Sequence, residues 1–380
     1  MQSSELKKLI VHNRADSTLL IGNGINRYAQ SGCSWIALLK ALAKVYCPEK
    51  EFEDLPQGIS NTEFFDSLEI TLLNKTPVFN KEDFTLQKVT LSLPNIDHKK
   101  IFEDIQTLSR VTVAPMEVRP SKEVMESFAK ATAVFDTPDF EVVSTLCEIG
   151  DKAKPALRNK LAKSISRFME QWNPQSIHVG VSNFAKHYDI PILTTNYDNL
   201  LAKAVNAKFK NLGKDNVCEA HPLTCCYTTK RQPSTDTYGI WHINGMIRYP
   251  KSILIGLSHY MRAIEYVRNR ILPPNKFDAE LFQGLQWFGK RVANTWLDII
   301  FRKKIFIFGL ALETDEVFLR WLLIERAKFY ALYPHHKKEG WYIKSENETI
   351  SEGKRYFLNS TGFNIISVPD YSAIYNSISL

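Results

Sequence analysis

The stretch that most constrains this chain is Ser17-Thr18-Leu19-Leu20-Ile21 followed at once by Gly22-Asn23-Gly24-Ile25-Asn26. An apolar run of that length reads as a buried β-strand. Strand, glycine-rich turn and helix in succession is how α/β proteins bring bare backbone N–H groups up to a phosphate. Glycines at 22 and 24 leave no side chain in the way of a close approach.

The rest of the chain supports the α/β reading. After the turn, Trp35, Leu38, Leu39, Leu42 and Val45 have helical spacing behind Ser34 as N-cap, which predicts a helix over 34–46. Residues 48–115 are polar, Pro-interrupted and irregular, with strand-like alternation at Phe84–Leu86 and Val89–Leu93. Helices are predicted over 121–134, 138–150, 153–172 and 176–187. Strands resume at 190–195, then at 239–243, 252–255, 304–308, 340–343 and 363–368. Helices are predicted between them at 198–206, 258–270, 277–301, 314–330 and 350–359. Short apolar strands alternating with amphipathic helices predict a doubly wound, mostly parallel, Rossmann-like sheet. Residues 1–47 and 176–380 would form that domain, with 48–175 a mostly helical insertion.

Composition excludes several classes. A net charge of +7 over 380 residues is mild and scattered, so a direct nucleic-acid surface is not expected. No uncharged apolar run of ~18 residues is present, and Met1 to Asp16 has no apolar signal-peptide core, which predicts a cytoplasmic protein without membrane spans. Six cysteines lie at 33, 47, 147, 218, 225 and 226 without a disulfide framework or a Cys-x-x-Cys pair.

Open α/β sheets bind ligands outside the carboxyl ends of their strands, and four strand ends here carry polar or glycine signals. The first is the glycine turn. It lacks the third glycine of G-x-G-x-x-G, because Arg27 stands there, and no strand ending in Asp or Glu follows about twenty residues on, which disfavours a nicotinamide dehydrogenase. The second is Thr194-Thr195-Asn196-Tyr197-Asp198, where Asp198 either caps the next helix or serves the site. The third is Trp241-His242-Ile243-Asn244-Gly245, with a histidine suited to general-base work or simply satisfied in the core. The fourth is Phe308-Gly309-Leu310-Ala311.

In that order the four segments resemble the sirtuin superfamily, and most nearly the sirtuin-like NAD hydrolases of bacterial anti-phage defence. The likeness covers about 1–47 and 188–380. It implies NAD as substrate, cleaved at the nicotinamide–ribose bond through an oxocarbenium-like transition state. It assigns Asn196 to orient the ribose or the water, and Asp198 to anchor the nicotinamide carboxamide or steady the loop. His242 takes the water proton or holds the ribose hydroxyls. Gly22, Asn23, Gly24 and Asn26, with Thr195, Gly245 and Gly309, would bind the dinucleotide. The family's histidine commonly stands just before the glycine; here Asn244 does, so either His242 or Asn244 holds the catalytic place. Deacylase sirtuins carry a zinc on two Cys-x-x-Cys pairs, and without them no zinc is expected. The resemblance further implies a homo-oligomer, an abortive-infection role and a HerA-type ATPase as partner. The isolated chain would then be poorly active. The alternatives are a module that binds NAD or ADP-ribose without cleaving it, and a protein deacylase.

Overall fold

A computed structural model describes residues 1–30, 32–46, 58–75, 161–214, 217–271, 292–314 and 316–380. In chain order the elements are α1 (Ser3–His12), β1 (Ser17–Ile21), α2 (Gly24–Ala29), α3 (Trp35–Tyr46) and α4 (Asn61–Lys75). There follow α5 (Ser176–His187), β2 (Ile192–Thr194), α6 (Leu200–Lys203), β3 (Lys208–Asn211), β4 (Cys225–Thr228) and β5 (Ile240–His242). The chain continues with α7 (Leu257–Ile271), α8 (Trp296–Arg302), β6 (Lys304–Phe308) and α9 (Val317–Leu332). It closes with β7 (Gly340–Ser345), α10 (Glu352–Ser360), β8 (Phe363–Val368) and α11 (Tyr371–Asn376). Residues 161–170 are also helical. Two compact units divide the chain: Met1–Glu69 with Asn159–Leu380, and Ile70–Arg158. Sheet and site lie in the first.

The sheet has the order β3-β4-β5-β2-β1-β6-β7-β8. From β5 to β8 every pairing is parallel, and β3–β4 and β4–β5 are antiparallel. The architecture is therefore the predicted α/β one, doubly wound and mostly parallel. Along β1 the side chains alternate between two cores. Leu20 joins Leu193, Trp241, Ile305 and Ile307 under α7 to α10, whereas Leu19 and Ile21 join Ile192, Ile240, Phe306 and Phe308 under α1, α5 and α11. Burial on both faces is why these strands read as unbroken apolar runs.

From β1 the chain passes to β2, crosses to the far edge at β3 and steps back through β4 to β5 beside β2, then crosses to the other side of β1 with β6 and steps outward to β8. The order therefore reverses between β1 and β6, where doubly wound sheets open a crevice at their carboxyl ends. Register places the four signal segments in one row there. Ile21 pairs with Thr194 and Phe308, and Thr194 pairs with His242.

Four sequence expectations are corrected. The glycine turn runs directly into α2, and the predicted 34–46 helix comes second, as α3, with the Ala37 N–H on Ser34 Oγ at 3.1 Å. Within the stretch read as irregular, α4 forms behind a capping box: Glu63 N–H donates to Ser60 Oγ (3.2 Å) and Ser60 N–H to the Glu63 carboxylate (2.8 Å). Residues 252–255 are not a strand. β4 already occupies the place beside β5, so Ile253, Leu254 and Ile255 pack as buried coil. Of the predicted 277–301 helix, 277–291 lie outside the described residues; the described part is interrupted at Asn294 (φ +60°), and Trp296–Arg302 is helical. The expectations at 84–93, 121–134 and 138–150 lie outside the described residues.

Candidate functional site

The site begins where β1 meets β6. A Cβ on Gly22 would stand 2.6 Å from the Gly309 carbonyl oxygen, and one on Gly24 would stand 2.6 Å from Gly309 Cα. Gly309 itself has φ +59°. The N–H of Gly22 donates to Phe308 O (2.9 Å) and that of Gly24 to Gly309 O (2.7 Å). This corrects the expected mode of binding at these two glycines. Their N–H groups are committed to β6, and their missing side chains let two turns lock backbone to backbone.

Next to this contact runs a buried polar chain. Gln175 N–H donates to His178 Nδ1 at 2.9 Å, so that nitrogen is unprotonated and Nε2 carries the hydrogen. Nε2 lies 3.1 Å from Asn26 Oδ1 and donates to it. This fixes the Asn26 amide, whose Nδ2 donates to Asp198 Oδ2 (2.7 Å) and Asn23 Oδ1 (2.9 Å). The other Asp198 oxygen accepts the N–H of Leu200, the first residue of α6, at 3.0 Å. Burial raises the Asp198 carboxyl, against the lowering effect of the Leu200 and Asn26 hydrogen bonds. Burial also holds His178 down to about 4, so it is neutral. Asp198 thus holds the turn into α6 and also ties the glycine turn to the end of β2. His178 is a site residue that the sequence does not reveal, since nothing in its neighbourhood connects it with Asn26.

At the ends of β2 and β5, Thr194 Oγ1 donates to Ile21 O (2.9 Å), and the buried Thr195 donates its N–H to the same oxygen (3.2 Å). His242 Nδ1 lies 2.7 Å from Asn196 O. A carbonyl only accepts, so Nδ1 carries the hydrogen and Nε2 presents a lone pair. Burial draws the imidazole down to about 4, against the opposing hydrogen bond to Asn196, which leaves it neutral at pH 7. Asn196 Nδ2 reaches toward Gly22 O at 3.5 Å. Three buried atoms here have no hydrogen-bond partner: Asn196 Oδ1, His242 Nε2 and Asn244 Oδ1. Leaving such groups unpaired costs about 1–3 kcal/mol each. All three accept, so a ligand that satisfies them must bring donors such as hydroxyls or water.

The structure separates His242 from Asn244 by more than spacing. β5 ends at His242, so the alternation that would put both on one strand face stops there. Gly245 then turns the chain at φ +94°, and a Cβ on it would fall 2.1 Å from Ser252 O. Beside His242 lies a small cavity of about 20 Å³, room for about one water, walled by Leu223, Leu254, Val267, Trp296 and Phe318. Tyr197 donates to Leu254 O and packs edge-on against Trp35 at 4.5 Å, joining α3 to this end of the sheet.

Among the described residues no group of three or more His, Cys, Asp or Glu side chains is placed to hold a metal ion, and no helix is long and apolar enough to cross a membrane. A comparison with curated proteins finds no match. Residues 191–366, from β2 into β8 and including Asn196, Asp198, His242, Asn244, Gly245 and Gly309, match a family model described as a SIR2-like domain.

Proposed function

We propose that this chain binds NAD in the crevice between β1 and β6 and hydrolyses its nicotinamide–ribose bond, giving nicotinamide and ADP-ribose. The observation that carries the reading is the set of partnerless acceptors, Asn196 Oδ1 and His242 Nε2 foremost, at strand ends within the SIR2-like match. NAD supplies a good leaving group and a ribose rich in hydroxyl donors. Asn196 Oδ1 orients a ribose hydroxyl or the attacking water. His242 Nε2 accepts its proton, while Nδ1–H stays on Asn196 O and keeps the ring in place. Asp198, with Asn26 and His178 behind it, steadies the loop that faces the nicotinamide. Thr195, Gly245 and Gly309 shape the walls, and Asn23 and Gly24 line the turn.

The same reading makes the protein the effector of an anti-phage, abortive-infection system in the cytoplasm. It would work as a homo-oligomer with a HerA-type ATPase as partner, and residues 48–175 would offer the assembly surface. The resemblance alone supports this wider role. The test is to incubate the protein with NAD, alone and with a HerA-type ATPase, and to assay nicotinamide and ADP-ribose. Absence of turnover in every condition would sink the hydrolase.

A second reading is binding without cleavage. It is favoured by Asn244 before Gly245 and by the N–H groups of Gly22 and Gly24 already bonded to β6. Calorimetric binding with intact NAD recovered afterwards would select it.

A further inference from the structure

One further donor lies where the two glycine turns meet. Tyr375, from α11, is 1% exposed, and its hydroxyl has no hydrogen-bond partner. It lies 2.5 Å from the point where a Gly309 Cβ would stand, and that point is 3.1 Å from Gly24 Cα and 3.2 Å from the Ile25 nitrogen. The phenol is therefore delivered to the contact between the two glycine turns. Its ring is held by packing, with Tyr28 at a centroid distance of 4.9 Å and Ile374 and Ile378 in the same core.

A hydroxyl buried without a partner destabilises the ligand-free fold. Phenylalanine would fill the same space without that cost. The tyrosine needs a reason in another state of the protein. Burial, then the neighbouring Tyr371 and Tyr28, make the phenol harder to ionise, so the group keeps its proton and donates. Gly22 and Gly24 have given their own N–H groups to β6, so an anion in this crevice has need of a donor from elsewhere.

We infer that the Tyr375 hydroxyl donates a hydrogen bond to an anionic oxygen of the dinucleotide diphosphate at the Gly24–Gly309 contact. This rests on the reading of the crevice as an NAD site. A hydrogen bond to a charged group corresponds to roughly a ten- to hundred-fold change in affinity.

The experiment is Tyr375→Phe in the full chain, with calorimetry against NAD, ADP-ribose and adenosine and a thermal melt without ligand. The expected result has three parts. Affinity for NAD and ADP-ribose falls roughly ten- to hundred-fold, affinity for adenosine is unchanged, and the ligand-free melting temperature is equal or higher. Where turnover is measured, KM rises and kcat does not change. Wild-type affinity for ADP-ribose in the variant overturns the assignment, as does an equal loss toward adenosine. A lower melting temperature also overturns it, because the hydroxyl would then serve the fold. Wild-type protein that binds neither NAD nor ADP-ribose overturns the NAD reading together with this inference.

Discussion

At the residue scale the informative fact about His242 is which nitrogen holds the proton. The Asn196 carbonyl fixes it on Nδ1, and burial keeps the ring neutral down to about 4. Turnover is therefore expected to stay level as the pH falls through the ordinary histidine value of 6.5 and to drop only toward about 4. Nicotinamide release measured across that range decides it, and an acid limb at 6.5 would remove His242 as the base. Alanine at Asn196 or His242 is expected to lower kcat by about 10²–10⁴-fold. An active His242→Ala beside an inactive Asn244→Ala would hand the role to Asn244. The same neutral histidines affect stability. His178 and His242 are held near 4 in the folded state but titrate at about 6.5 when unfolded, so the unfolded chain binds more protons between those values. Stability is full above pH 6.5 and is lost as pH falls toward 4. His178→Gln, which keeps an acceptor for Gln175 and a donor for Asn26, should reduce that slope by one proton, about 1.4 kcal/mol per pH unit. Urea midpoints at neutral and mildly acid pH provide the check; an unchanged slope would contradict the assignment.

At the element scale, legibility followed the apolar run more than burial. β1, β2 and β5 to β7 showed in the sequence because they are covered on both faces; the half-buried β8 showed too, and the equally buried β4, Cys-Cys-Tyr-Thr, did not. β3 did not, because Lys208 and Lys210 keep a sheet edge exposed, and its Lys-Phe-Lys-Asn reads as a surface loop. Ile253-Leu254-Ile255 misled for the opposite reason: burial under a turn gives the same composition as burial in a sheet. α4 is marked in the sequence by a capping box, Ser60 with Glu63, which its polar surroundings mask. The β1–β6 junction offers the sharpest test at this scale. A methyl on Gly24 meets Gly309 Cα and its carbonyl carbon, 2.6 and 2.9 Å away, and backbone in two turns joined by the Gly24 N–H to Gly309 O hydrogen bond has little room to yield. Gly24→Ala is expected to destabilise the fold by about 1–3 kcal/mol and to lose ligand binding. A variant with wild-type denaturation and binding would show that the junction is looser than its contacts.

At the scale of the whole molecule, the site exists because the strand order reverses. Residues 22, 196, 242 and 309 are scattered over most of the chain, yet the register of β1, β2, β5 and β6 sets them in one row. Sequence reading reached that row through short motifs at strand ends. It could not reach His178 or Tyr375, which enter from helices whose own sequences serve local capping and packing. The row also joins two halves of the sheet, with β2 and β5 on one side of β1 and β6 to β8 on the other. A ligand bridging that line binds only the folded arrangement, so it must stabilise the fold by mass action. ADP-ribose, the product that is not consumed, isolates this effect from catalysis. At a hundred times its dissociation constant it should add about 2.7 kcal/mol, and Asn196→Ala, which removes one acceptor but not the crevice, should retain part of that gain. A melt followed against ADP-ribose concentration checks it. A melting temperature indifferent to ADP-ribose at any attainable concentration would mean that the crevice between β1 and β6 is packing alone, and the three acceptors at the ends of β2 and β5 would then need another ligand.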